Sequence, residues 1–202
     1  MKVIGSIGFV MSLLVLTSCT SIPKNGQGFV AYVDNQSNGC LKEFSISGWD
    51  YSMLYKPAAY ILEKEHVKGQ TDYNARMSQL EGTVWFNIKI SRSDKSISPL
   101  KYQVTSVEQY EQRYQYMMSQ AAADITMQYG ASTLHPISYA FETNYNLTPE
   151  ETLVVGFALP EGITYPEQDF QLIYRDKIFN NGIVKATYHI KDIEPLKKLT
   201  YK

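Results

Sequence analysis

The sequence predicts a mainly β protein of the α+β class: an antiparallel β-sandwich carrying one long inserted amphipathic helix. Three observations point there. At least seven short segments alternate apolar and polar residues, the period of a strand with one buried face. Clusters of Gly, Pro, Asn and Asp separate them, and these are the residues that tight turns demand. One run, about 107–129, instead repeats its apolar residues at intervals of three and four, as a helix does. A chain of 202 residues is long enough to bury one core, so a single domain is expected over 29–202.

The N-terminus has a different character. Met1 and Lys2 precede an uncharged apolar run from Val3 to Leu16. A basic start and an apolar stretch of about 14 residues describe a secretory signal peptide, short of the roughly 20 residues that span hydrocarbon as a helix. The run ends in Leu16, Thr17, Ser18 and Cys19. This quartet resembles the lipobox of bacterial lipoproteins. The resemblance implies a signal peptide over 1–18, cleavage between Ser18 and Cys19, a diacylglycerol on the Cys19 sulfur and acylation of the new α-amine. Each buried methylene contributes about 0.8 kcal/mol, so two or three acyl chains anchor far more firmly than a single myristoyl group. In the same family an aspartate after the cysteine commonly retains the protein in the inner membrane. Thr20 stands there instead, which implies the outer membrane. The stretch after Cys19 also lacks the acidic residues that accompany surface export in some such proteins, which implies the periplasmic leaflet. Residues 19–28, the lipidated cysteine and a polar run with Pro23, Gly26 and Gly28, are expected to form a flexible tether.

Beyond the tether, Phe29 to Val33 reads as a first strand closed by the turn-rich stretch from Asp34 to Gly39. Leu41, Phe44 and Ile46 precede a second turn at Gly48. From Tyr51 to Glu81 the pattern is ambiguous: Pro57 is placed to open a short helix, though Tyr60 to Leu62 fits a strand equally, and Asp72 to Glu81 is open in the same way. Val84, Phe86, Ile88 and Ile90 alternate strictly, and Leu100, Tyr102 and Val104 suggest a neighbouring strand.

Thr105 with Glu108, or Ser106 with Gln109, can form a capping box at the helix start. Val107, Tyr110, Tyr114, Met117, Ala121 and Ile125 then follow at helical spacing, with Gly130 as terminator and Glu111, Gln112, Gln115 and Gln120 facing outward. Such a helix is expected to lie across a sheet face or over an open end. Ile137, Tyr139 and Phe141 return to strand period, and Leu153 to Leu159 suits a central strand. Phe170, Leu172 and Tyr174 are separated by Asn180, Asn181 and Gly182 from Val184, Ala186, Tyr188 and Ile190, a hairpin pattern. The polar tail, Lys191 to Lys202, is expected on the surface. The segment from Tyr139 to Tyr188, with Thr148-Pro149-Glu150-Glu151 and Val154-Val155-Gly156-Phe157, is similar to the closing half of immunoglobulin-like domains of bacterial exported lipoproteins. That likeness implies an immunoglobulin-like sandwich without implying a chemistry.

The formal net charge is −1, with neither sign gathered into a block, which argues against nucleic acid as a partner. Lipidation of Cys19 leaves Cys40 without an intramolecular partner, either a buried filler or a reactive thiol. His66, His135 and His189 show no metal-ligand spacing, and Glu63, Glu65 and His66 do not converge on a strand or on a helix. Ser21 and Lys24 match Ser-x-x-Lys but fall in the tether. No nucleophile elbow, zinc motif or phosphate loop is present, so no catalytic residue, metal or cofactor is assigned. Sixteen tyrosines remain, and Tyr110, Tyr114 and Tyr116 cluster on the helix, either as half-buried filler or as contacts for a protein partner or a glycan. The expected role is a lipid-anchored, non-enzymatic binding or accessory subunit of the bacterial envelope. A glycan-binding lipoprotein is the alternative, and a hydrolase of envelope polymers a more distant one.

Overall fold

The computed structural model describes residues 22–23, 26–67, 69–144 and 147–198. The expected signal peptide, 1–18, and the expected cleavage site between Ser18 and Cys19 lie outside these residues. Helix α1 spans Gly26–Val33 and leads through a 3₁₀ turn at Gln36–Asn38 into strands β1 (Leu41–Ile46) and β2 (Trp49–Lys56). Helices α2 (Ala58–Lys64) and α3 (Gln70–Leu80) follow, then β3 (Thr83–Arg92), a 3₁₀ turn at Pro99–Lys101 and α4 (Val107–Met118). A 3₁₀ segment, Gln120–Asp124, opens into β4 (Ile125–Tyr129), β5 (Ser132–Leu134), β6 (Ser138–Glu142), β7 (Glu150–Ala158), β8 (Phe170–Asp176) and β9 (Gly182–Tyr188). A last short helix, α5 (Ile190–Ile193), closes the described chain with a 3₁₀ turn at Glu194–Lys198.

The strands form two antiparallel sheets, ordered β1-β2-β3-β7-β6 and β5-β4-β8-β9. Their inner rows face one another across one core: Tyr51, Met53, Tyr55, Phe86, Ile88, Ile90, Leu153, Val155 and Phe157 from the first sheet meet Ile125, Met127, Phe170, Leu172, Tyr174, Ala186 and Tyr188 from the second. Rings cross the gap, with Phe86 and Tyr188 5.4 Å apart and Tyr55 and Phe170 5.6 Å apart. Helices α2 and α3 cover part of the outer face of the five-stranded sheet, packing Ile61, Leu62, Tyr73 and Leu80 around Trp85.

Several expectations are corrected. Phe29–Val33 is helical: Phe29 and Val33, four apart, are both fully buried while Val30 and Tyr32 are only partly so and Ala31 is exposed. Helix α1 therefore begins inside the expected tether, at Gly26, and Ile22 already packs against the core. Leu100–Val104 forms no strand; Pro99 lacks the N–H a ladder needs and starts a 3₁₀ turn instead. The long helix ends at Met118 rather than near 129, and Ile125, Met127 and Tyr129 belong to β4, buried on alternate positions. The C-terminal segment is not wholly superficial, since Ile193 and Leu196 are buried. The capping box uses the second of its two candidate pairs: Ser106 Oγ accepts from the Gln109 amide at 3.3 Å, and Gln109 Oε1 accepts from the Thr105 amide at 2.9 Å.

Register defines two ends of the sandwich. At one end Trp49 pairs with Arg92 and Ser91 with Glu150; at the other Lys56 pairs with Trp85, and Leu41 with Leu54. The α1–β1 entry lies at the Lys56 end, where the Tyr55 amide donates to the Cys40 carbonyl. The α4 segment, joining β3 to β4, lies at the Arg92 end.

Candidate functional site

The Arg92 end is built from residues that tie three connections together. The Arg92 guanidinium sits 4.4 Å from the Tyr102 ring centre and 5.1 Å from that of Trp49, which in turn stacks on Phe179 at 3.7 Å. Arg113, on α4, donates to the carbonyls of Tyr102 at 2.6 Å and Pro99 at 3.4 Å, fastening the helix to the 3₁₀ turn. Tyr139 adds a hydrogen bond to the Met117 carbonyl, which holds the other end of α4 against β6. In the β8–β9 turn, Asp176 accepts from Tyr51 Oη at 2.5 Å and from the amides of Ile178 and Phe179.

Between α4 and the rim of the five-stranded sheet this frame leaves a cavity of about 250 Å³. Tyr110 and Tyr114 come from α4, Phe141 from β6, Glu151 from β7 and Leu100 from the 3₁₀ turn; Thr143 and Asn144 complete the lining. The Tyr110 and Tyr114 rings lie nearly parallel, 6.3 Å apart, while Phe141 meets Tyr114 edge-on at 5.9 Å. Glu151 is only 1% exposed, and its carboxyl accepts from Ser98 Oγ at 2.5 Å. Burial pushes its pKa upward, and the Ser98 hydroxyl and the Leu100 amide oppose that in part. Three rings and one buried acid offer dispersion, an aromatic quadrupole and, when the acid is ionised, a single site of negative charge.

Of the predicted contact residues, Tyr110 and Tyr114 share this cavity and Tyr116 does not. Tyr116 faces a separate groove with Gln112, Gln120 and Lys177, its phenol donating to Asp124 Oδ2 at 2.7 Å. Burial, and then that carboxylate, push the Tyr116 pKa upward. Cys19 and Ser18 lie outside the described residues. Sequence reasoning missed Glu151, Phe141, Leu100 and Ser98 as site residues. Glu151 carries a usable signal: it continues the inward phase of Leu153, Val155 and Phe157, where a carboxyl has no ordinary place.

The larger concavity, about 750 Å³, lies on the outer face of the five-stranded sheet. Its charges are largely paired among themselves and with neighbours: Lys89 with Glu150 at 2.8 Å, Glu65 with Arg76 at 2.7 Å, and Lys64 with Asp34 at 4.0 Å. Lys56, half-buried there, has its pKa lowered by burial, against the pull of Glu142 and Glu65. Cys40 is fully buried and its thiol is pushed up to about 12, chiefly by that burial, so it packs as a small apolar filler. Among the described residues no helix is long and apolar enough to cross a membrane. Comparison of the chain with known protein families, with curated proteins and with solved structures returns no match, so the reading of the cavity rests on its geometry.

Proposed function

We propose that the chain is a lipid-anchored protein of the bacterial envelope, held in the outer membrane and facing the periplasm, that acts as a non-enzymatic binding or accessory subunit. The anchor reading rests on Leu16-Thr17-Ser18-Cys19 and on Thr20 after it. The observation that carries the binding role is the placement of the ring-lined cavity at the Arg92 end, opposite the end where α1, the first helix after Cys19 in the sequence, enters β1. A protein moored at one end and carrying its cavity at the other presents that cavity away from the bilayer. Replacing Cys19 by Ala should abolish incorporation of radiolabelled palmitate and move the protein to the soluble fraction. Unchanged labelling would overturn the anchor.

The finer fold reading is an immunoglobulin-like sandwich. It is supported by strand order: β2-β3-β7-β6 opposite β5-β4-β8-β9 follows the order A-B-E-D opposite C′-C-F-G, with β1 as an added edge strand. In that scheme α4 is an insertion in the B–C connection, among the loops that recognise ligands in variable domains.

A glycan is the second ligand class, favoured by the two near-parallel tyrosine rings in the cavity wall. Affinity electrophoresis through envelope polysaccharides tests it, and unretarded migration in every gel would remove it.

A further inference from the structure

We propose that the cavity between α4 and the rim of the five-stranded sheet binds the quaternary ammonium group of a small soluble compound. The proposal deepens the binding role above and depends on that role for its purpose; its chemistry depends only on the cavity.

Three features select this ligand. Tyr110, Tyr114 and Phe141 line the cavity, with Phe141 turned at 74° to Tyr114, so an occupant meets aromatic surface from more than one direction. Ring faces attract cations, most strongly where water is excluded. The second feature is Glu151, a nearly fully buried carboxyl with no basic partner among the described residues. Arg113, the nearby cation on α4, donates instead to the Tyr102 and Pro99 carbonyls. A ligand cation would supply the countercharge that the fold does not.

The third feature separates one kind of ammonium from another. A primary ammonium brings three N–H donors, each of which must find an acceptor once desolvated. Here the one carboxyl already accepts from the Ser98 hydroxyl and the Leu100 amide, and the ring faces and the Leu100 side chain offer no further acceptor. A quaternary ammonium carries no N–H, presents only methyl groups to the rings, and needs charge alone from Glu151. The volume, about 250 Å³, falls below that of pockets for drug-sized ligands and suits a head group. A lipid of the anchoring bilayer is a poor source. The cavity lies at the far end of strands that, for the ten residues of β3, extend about 33 Å from the α1 end.

The test uses the full chain purified in a maltoside detergent, which carries no ammonium group. Tetramethylammonium and choline are titrated by calorimetry and by tyrosine ring NMR shifts, beside methylammonium and dimethylbutanol, the uncharged carbon isostere of choline. Saturable binding of both quaternary ions at one site is expected, with the isostere and methylammonium at least about tenfold weaker. Glu151→Gln and Tyr114→Leu should each weaken choline binding about tenfold, while Tyr114→Phe retains it. Unfolding midpoints identify any variant that fails to fold, and Tyr110→Leu, at the partly exposed ring of the same cavity wall, then stands in its place. Equal binding of dimethylbutanol or methylammonium, no saturation by the quaternary ions, or unchanged affinity in Glu151→Gln would overturn the proposal. Displacement of choline by phosphatidylcholine doped into the micelles would overturn the soluble source. The Cys19→Ala chain should bind choline unchanged, so a failed anchor and a failed cavity give separate results.

Discussion

Glu151 occupies a position that strand period reserves for an apolar side chain, and it answers to pH accordingly. Burial holds its folded-state pKa above the value it has in the unfolded chain. At acid pH the group is protonated in both states and contributes no penalty. As pH rises, the unfolded chain ionises first, so stability present below the ordinary carboxylate range is lost as pH climbs through the raised folded value. Glu151→Gln should flatten this dependence, leaving the variant relatively more stable at neutral than at acid pH when compared with the parent. Urea midpoints from about pH 4 to about pH 8 would read it, and parallel curves for the two proteins would sink the assignment. Tyr110 and Tyr114 were legible as neighbours because helix period alone brings residues four apart onto one face. Their partners were not, since Leu100, Phe141 and Glu151 arrive from three separate elements and only the folded chain brings them together.

Helix α4 shows how one periodicity can run into another. Tyr110, Tyr114 and Met117 keep helical spacing, and Ala121 and Ile125 continue it by coincidence. Ile125, Met127 and Tyr129 also alternate with Thr126 and Gln128, and pairing with β8 decides for the strand. At the helix start the sequence is unambiguous: Ser106 caps the free amide of Gln109. Ser106→Ala should cost about 1 kcal/mol in denaturant unfolding, and an unchanged midpoint would mean that Arg113 and Tyr139 hold α4 without help from its cap. Helix α1 was misread for the opposite reason. A run of five residues is too short for its period to distinguish strand from helix, and only burial of Phe29 and Val33 together separates them. Strands β3, β8 and β9 were legible because each buries alternate residues, β6 because Ile137, Tyr139 and Phe141 alternate in the sequence, and β7 as a nearly continuous apolar run; β2 escaped notice although its inward row, Trp49, Tyr51, Met53 and Tyr55, is as regular as any. Its outward Leu54 and the amphipathic Tyr51 and Tyr55 obscured the contrast on which the alternation depends.

At the scale of the whole molecule, composition and alternation were sufficient for two antiparallel sheets, while the pairing of β3 with β7 and of β4 with β8 was not readable, because those partners stand far apart in sequence. The same non-local pairing brings the β3–β4 and β6–β7 connections to one end, where the cavity forms. The other end carries the α1–β1 entry, and Ile22, four residues ahead of α1, is seated against the core. If Cys19 bears the acyl chains, only Thr20 and Ser21 separate them from that seated residue, a reach of at most about 11 Å when extended. The protein would then ride the bilayer like a post set in a floor rather than a float on a line. Its opening would stay at a nearly constant height above the lipid, and encounters would be confined to whatever passes at that altitude.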